Sequence, residues 1–194
     1  MRYLRKDKVR KIIVDIDNTL WDFASVFNEM LRKIAPSIPP VKDWKWDFYM
    51  DYISLDELYC IIDEIHKKQD IFEPFPSSRW FLESLLNKGY EIIIASHRQE
   101  HSREATEKFL QKHKLPYTEL HLSNNKTVLF DSCIAIIDDA PQTLDEAKQK
   151  GLICTGLRFP WNKYTEHSLF DSLEEVLEFL FKKLNSNNEL WKTT

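Results

Sequence analysis

Glycine is nearly missing from this chain, with 3 in 194 residues. No glycine-rich loop can therefore wrap a phosphate in backbone N–H groups, and a phosphate site must be built from other groups. Cysteine is equally scarce: Cys60, Cys133 and Cys154 show neither CxxC nor zinc-ligand spacing. All three lie in apolar runs, so buried free thiols and a cytoplasmic location are expected. A basic excess is lacking as well. The 27 Lys and Arg against 31 Asp and Glu leave a net charge of −4, which argues against a nucleic-acid polymer as partner. The one basic stretch, Arg2 to Lys11, is broken by Asp7 and runs into an apolar segment, so it reads as a solvated strand entry rather than a nucleic-acid arm. No signal peptide or apolar run of membrane-spanning length is found, and no membrane partner is expected.

What the chain does have is acid at the ends of apolar runs. Ile12-Ile13-Val14 leads into Asp15-Ile16-Asp17-Asn18-Thr19, and Ile134-Ala135-Ile136-Ile137 leads into Asp138-Asp139. A carboxylate pair at the end of a buried strand is costly unless a cation or a substrate uses it. In an open α/β sheet, the carboxyl ends of the strands are where ligands bind. Two such ends in one domain point to a divalent metal and phosphoryl chemistry. Each pair alone could equally cap a turn or the helix that follows.

Five runs read as strands: 11–16, 90–95, 118–122, 133–137 and 152–157. Between them lie helical patterns over 78–88, 100–113 and 141–150, with Gly89 and Gly151 at the ends of the first and third. Ser172-Leu173-Glu174-Glu175 opens a last helix to about Leu184. The alternation predicts a parallel sheet between helical layers. Residues 21–76 break the rhythm. A helix over 24–35 ends at Pro36, an aromatic stretch with Trp44, Trp46 and Phe48 follows at strand-like period, and Ser54-Leu55-Asp56-Glu57 caps a second helix. The expected division is an α/β core over 1–20 and 77–185, a small helical cap over 21–76, and a polar, frayed tail over 186–194. His101, His113 and His121 show no ligand pairing and are expected at the surface.

With those motifs in hand, the chain resembles the haloacid dehalogenase superfamily of aspartate-nucleophile phosphotransferases, from Lys11 to about Asn162. Asp15-x-Asp17-x-Thr19 matches its first motif, Ser96 the second, Lys126 the third and Asp138-Asp139 the fourth. The resemblance implies a three-layer Rossmann-like fold with the cap inserted after the first strand. It further implies Asp15 as nucleophile, Asp17 as general acid and base, and Lys126 as the cation beside them. Mg2+ would be held by Asp15, Asp138 and the Asp17 backbone carbonyl. Thr19, Ser96, His97 and Arg98 are candidate contacts to the substrate phosphate. Asn18 stands where these proteins often have glycine, and asparagine is the side chain that best tolerates a left-handed turn.

The cap, with Phe23 eight residues after Asp15, and the segment Phe159-Pro160-Trp161-Asn162 resemble the 5'(3')-deoxyribonucleotidase family. That likeness implies a nucleoside monophosphate as the small phosphorylated partner, with Phe23 and Trp46 against the nucleoside; Trp44, Trp46 and Phe48 could equally glue cap to core. Two other readings stay open. Thr19-Leu20-Trp21 with Ala95-Ser96 also resembles magnesium-dependent phosphatases of phosphotyrosine or sugar phosphates, which carry less between the first two motifs. A receiver-like phosphoacceptor module shares acidic strand ends and a lysine but lacks the acid/base two residues on. The oligomeric state, a homodimer included, stays open.

Overall fold

The structure is a computed structural model that describes residues 10–190, with side chains through residue 186. The basic stretch before Arg10 and the end of the tail lie outside the described residues. Six parallel strands form one sheet: β1 (Arg10–Val14), β2 (Tyr90–Ser96), β3 (Glu119–Leu122), β4 (Cys133–Ile137), β5 (Ile153–Leu157) and β6 (Ser168–Phe170). Their order is β3-β2-β1-β4-β5-β6, which puts β1 and β4, the two acid-ended runs, side by side in the middle. The short β6, at the edge beside β5, has no counterpart among the expected strands.

Strands covered on both faces read as unbroken apolar runs, and the two faces divide by alternation. Ile12, Val14, Ile92, Ile94 and Ile137 pack toward helices α3 (Ser78–Asn87), α4 (Arg103–Lys112) and α6 (Leu173–Leu190). Ile13, Ile93, Ala95 and Ile136 pack toward α5 (Pro141–Gln149) and the 3-10 turn Thr127–Ser132. The result is the expected three layers. α6 runs past Leu184 to Leu190, so the segment expected to fray continues as helix at least that far.

Between β1 and β2 the chain departs most from a plain α/β alternation. It forms α1 (Phe23–Ile34) and α2 (Leu55–Lys67) before α3, joined by short 3-10 turns. Ser54 and Glu57 make the reciprocal capping bonds the sequence suggests. The Trp44–Phe48 stretch forms 3-10 and turn structure rather than a strand. Trp44 is buried with its indole N–H on the Pro39 carbonyl (2.9 Å), and its ring stacks on Phe48.

The cysteines differ from expectation. Cys133 and Cys154 are half-buried, and Cys60, on α2, is exposed. Of the three histidines expected at the surface, only His101 is exposed. His113 is half-buried and donates to the Phe72 carbonyl, and His121 is half-buried in β3.

The third glycine, Gly156, positions the site. A Cβ there would sit 2.0 Å from the Asp138 carbonyl oxygen, so β5 can lie this close to the end of β4 only without a side chain. Gly156→Ala is expected to cost about 1–3 kcal/mol or more in urea unfolding, because the clash is with backbone. An unchanged midpoint would contradict this close approach.

Candidate active site

Four strand ends and one loop meet at the carboxyl edge of the sheet. Asp15 continues β1, its N–H donating to the Ile137 carbonyl, and Asp138 continues β4, its N–H donating to Thr155. Lys126, at the head of the Thr127–Ser132 turn, is 3% exposed and bonds Asp15 Oδ1 and Asp138 Oδ2, both at 2.6 Å. The other Asp138 oxygen accepts the Ala140 N–H at 2.9 Å. Burial, Asp138 and Asp17 push the Asp15 carboxyl up, against the pull of Lys126. Asp139 is likewise pushed well up by burial, Asp138 and Asp15. Burial opposes the Lys126 charge, but Asp138 and Asp15 outweigh it and hold the lysine above its ordinary value.

Three carboxylates share one lysine here. Oxygens of Asp15, Asp138 and Asp139 all lie within 4.8 Å of one another. Among the described residues no donor reaches Asp15 Oδ2 or Asp139 Oδ1. Hard oxygen donors in a buried, under-compensated acidic cluster suit Mg2+.

Asp17 sits in a different environment, a cluster of donors. Arg98 Nη2 reaches both of its oxygens (2.7 and 2.8 Å), Trp21 Nε1 bonds Oδ1 (2.8 Å), and His66 Nε2 bonds Oδ2 (3.0 Å). The Ser96 hydroxyl donates to Oδ2 at 3.3 Å and accepts from Arg98 Nε at 3.0 Å. Burial alone would raise Asp17, but Arg98 and His66 hold it well below the usual carboxylate range. Burial and the Arg98 charge in turn keep His66 below its ordinary value.

The residues of the four motifs thus converge, though not every one stands as the resemblance implied. Asp15, Lys126, Asp138 and Asp139 form one cluster, and Asp17 and Ser96 a second beside it. Arg98, a candidate phosphate contact, instead has its guanidinium on Asp17, Thr106 and Gln69, with its side chain fully buried. The Thr19 hydroxyl is buried without a partner. His97 is exposed and lines a cleft of about 950 Å³ between α1, α2 and the carboxyl edge of the sheet. Phe23, Phe27, Trp44, Phe48, Tyr59 and Trp161 also line it, and Trp46 stands at 41% exposure along its wall. Asn18, His66, His97 and Arg98 line it as well, and three of them touch the two carboxylate clusters: Asn18 bonds Asp139, and His66 and Arg98 bond Asp17.

Several contributors were not singled out from sequence. His66 carried a signal, since Leu58, Ile62 and His66 recur at i, i+4 along the inner face of α2, a polar group in an apolar stripe. Asn18 adopts φ 56°, as its type allows, but its side chain does more. Nδ2 donates to Asp139 Oδ2 (3.0 Å) and Oδ1 accepts the Ala24 N–H (2.8 Å), tying the acidic pair to the first turn of α1. Trp161 Nε1 donates to the same Asp139 oxygen at 3.1 Å.

Comparison with known proteins agrees with this geometry. A family model described as "5' nucleotidase, deoxy (Pyrimidine), cytosolic type C protein" matches residues 8–184. Comparison with curated protein sequences gives no match. Among solved structures, a haloacid dehalogenase-like hydrolase of Streptococcus pneumoniae superposes with TM-score 0.60 at 16% identity, over 89% of this chain and 99% of that one. A predicted phosphoglycolate phosphatase of Haemophilus somnus gives 0.59 at 15%, over 90% and 99%. YfnB of Bacillus subtilis, solved bound to magnesium, gives 0.57 at 14%, over 89% and 99%. At such identities the structures show the fold, and the family model shows the lineage: this chain belongs to the deoxy-type 5' nucleotidase family and is a phosphatase of the haloacid dehalogenase fold.

Proposed function

We propose that the protein is a magnesium-dependent 5'-nucleotidase acting on nucleoside monophosphates through an aspartyl-phosphate, with residues 21–76 as a cap over the core. The observation that carries this reading is an aromatic-lined cleft, large enough for a nucleoside, whose lining residue Asn18 bonds Asp139 of the acidic cluster and whose lining residues His66 and Arg98 bond Asp17. Asp15 and Asp138, with the Asp17 carbonyl, would hold Mg2+, which cancels the repulsion between carboxylate and phosphate. YfnB, solved with magnesium, lends support from the same fold.

The side chains then divide the work. Asp15 attacks phosphorus and the P–O bond to the nucleoside breaks; Lys126 keeps Asp15 in place and offers its charge to a phosphoryl oxygen. Asp17 gives a proton to the leaving oxygen and later takes one from the water that hydrolyses the aspartyl-phosphate. As found, Asp17 is a carboxylate, ready for the second role. A phosphate dianion arriving beside it adds negative charge and raises its proton affinity, which favours the first. A phosphomonoester of modest size suits the site.

Phosphate release should be measured on deoxy- and ribonucleoside 5'-monophosphates, a sugar phosphate, phosphotyrosine and 4-nitrophenyl phosphate, with and without chelator. Nucleotides are expected to be turned over best, and chelator should abolish release until Mg2+ is restored. Phe23→Ala should raise KM for nucleotides by about tenfold or more, as loss of a base stack does elsewhere, and Trp46→Ala should act in the same direction. 4-Nitrophenyl phosphate should be far less affected by either. Equal effects on both substrates would make these rings glue rather than a wall. A preference for sugar phosphate or phosphotyrosine would overturn the nucleotide reading.

A further inference from the structure

His66 is a buried polar side chain, 3% exposed, on the stripe that packs α2 against the rest of the protein. A leucine would bury better beside Leu58, Ile61 and Ile65. Instead an imidazole reaches Asp17 Oδ2 at 3.0 Å, with the Phe23 ring 5.6 Å from its own. The other donors to Asp17 come from the chain leaving β1 (Trp21) and from the end of β2 (Ser96 and Arg98). Among the described residues, His66 is the only donor to this carboxylate carried on a helix of the 21–76 insertion. Because Asp17 is a carboxylate, already bonded by Arg98 on both oxygens, it can only accept. The His66 Nε2 must therefore carry the proton, which fixes the tautomer.

We propose that His66 is a positioning residue for Asp17, aiming its carboxylate at the leaving oxygen only while α2 is seated on the core. The proposal rests on the phosphatase reading of the site. Arg98 pins Asp17 from below, through Thr106 of α4 and Gln69 of the segment following α2. His66 approaches Oδ2 from the cap, the element that frames the cleft. Lifting α2 removes that bond and leaves Asp17 held by Trp21, Ser96 and Arg98. Proton transfer to a poor leaving group would then be slow until substrate and cap are both in place, limiting wasteful reactions at an open site.

The test is the dependence on leaving group. His66→Leu is expected to lower kcat on deoxythymidine 5'-monophosphate by about 10²-fold, the order expected when a catalytic group is misplaced. On 4-nitrophenyl phosphate, whose leaving group needs little acid, the pre-steady-state burst of 4-nitrophenol, which reads the first step alone, should be nearly unchanged in rate. His66→Gln, which keeps an N–H donor near the Nε2 position, should recover most of the loss. In an Asp17→Asn background, His66→Leu should add no further loss. A first step slowed as much on 4-nitrophenyl phosphate as on the nucleotide, no rescue by glutamine, or additive losses with Asp17→Asn would each overturn the proposal. Independently of turnover, the His66 side chain should show a hydrogen-bonded Nε2–H signal in NMR spectra that changes in Asp17→Asn. Its absence would overturn the placement. Failure of the wild type on every phosphate ester would instead refute the phosphatase reading, with the NMR result still deciding the contact.

Discussion

Replacing Asp15 by asparagine is expected to remove turnover while leaving the protein at least as stable as before. Asparagine keeps the volume but lacks the carboxylate oxygen proposed as nucleophile, so steady-state phosphate release should fall by about 10⁴-fold or more. No acid-stable phosphate should remain on the protein after mixing with 4-nitrophenyl phosphate. The stability half follows from the charges. Asp15, Asp138 and Asp139 crowd one lysine, and burial with Asp138 and Asp17 already disfavours ionised Asp15. Removing one of these charges relieves repulsion, and Asp138 still pairs with Lys126. Asp17→Asn should behave oppositely. Arg98 would lose its charged partner in a fully buried position, and breaking such a pair costs about 3–5 kcal/mol. Thermal melts without metal should therefore rank Asp15→Asn at or above wild type and Asp17→Asn below it. The phospho-enzyme should accumulate only in Asp17→Asn, whose hydrolysis step lacks its base. The reverse ranking, or labelling of Asp15→Asn, would contradict the roles assigned to the two carboxylates.

The difference between what was legible and what was not follows physical range. The buried strands could be read because each is an apolar run with a turn signal at its end; the observed bounds of β4, Cys133–Ile137, coincide with the run. β6 could not, since three residues at a sheet edge carry too little pattern. Asp15, Lys126 and Asp138 could be placed at one site because the topology brings strand ends together whatever the intervening chain does. The partners of Asp17 depended on side-chain directions across long sequence separations, His66 by 49 residues and Arg98 by 81. Arg98 stands two residues beyond Ser96, at the strand end, where a phosphate contact is as natural from sequence as the inward salt bridge the fold makes. The 44-46-48 aromatic spacing suggested a strand, but Pro39-Pro40 and the turns beside them give the chain no strand neighbour there, and the rings pack as a cluster instead.

Lys126→Met tests the acidic cluster from the other side. Methionine matches the lysine stem in length and fills its space, so packing is largely kept while the charge is removed. Asp15, Asp138 and Asp139 are then left buried without a cation, and the expected loss is about 3–5 kcal/mol in metal-free buffer at neutral pH. For a chain of this size that corresponds to a fall in Tm of roughly 10 °C. The pH dependence has a definite sign. Carboxylates whose proton affinity is raised by folding bind more protons folded than unfolded, so their contribution to stability falls as pH rises toward neutrality. The variant should therefore recover part of its deficit on going from pH 7 to pH 5. Mg2+ should also raise its Tm by more than it raises that of wild type, since a dication replaces the missing positive charge. Turnover should stay at least about 10²-fold down even with saturating Mg2+, because the metal does not restore the donor that holds Asp15 and is proposed to meet the phosphoryl oxygen. A variant as stable as wild type without metal would mean that Lys126 does not compensate the charge of this acidic cluster. Full activity with Mg2+ would remove Lys126 from the chemistry.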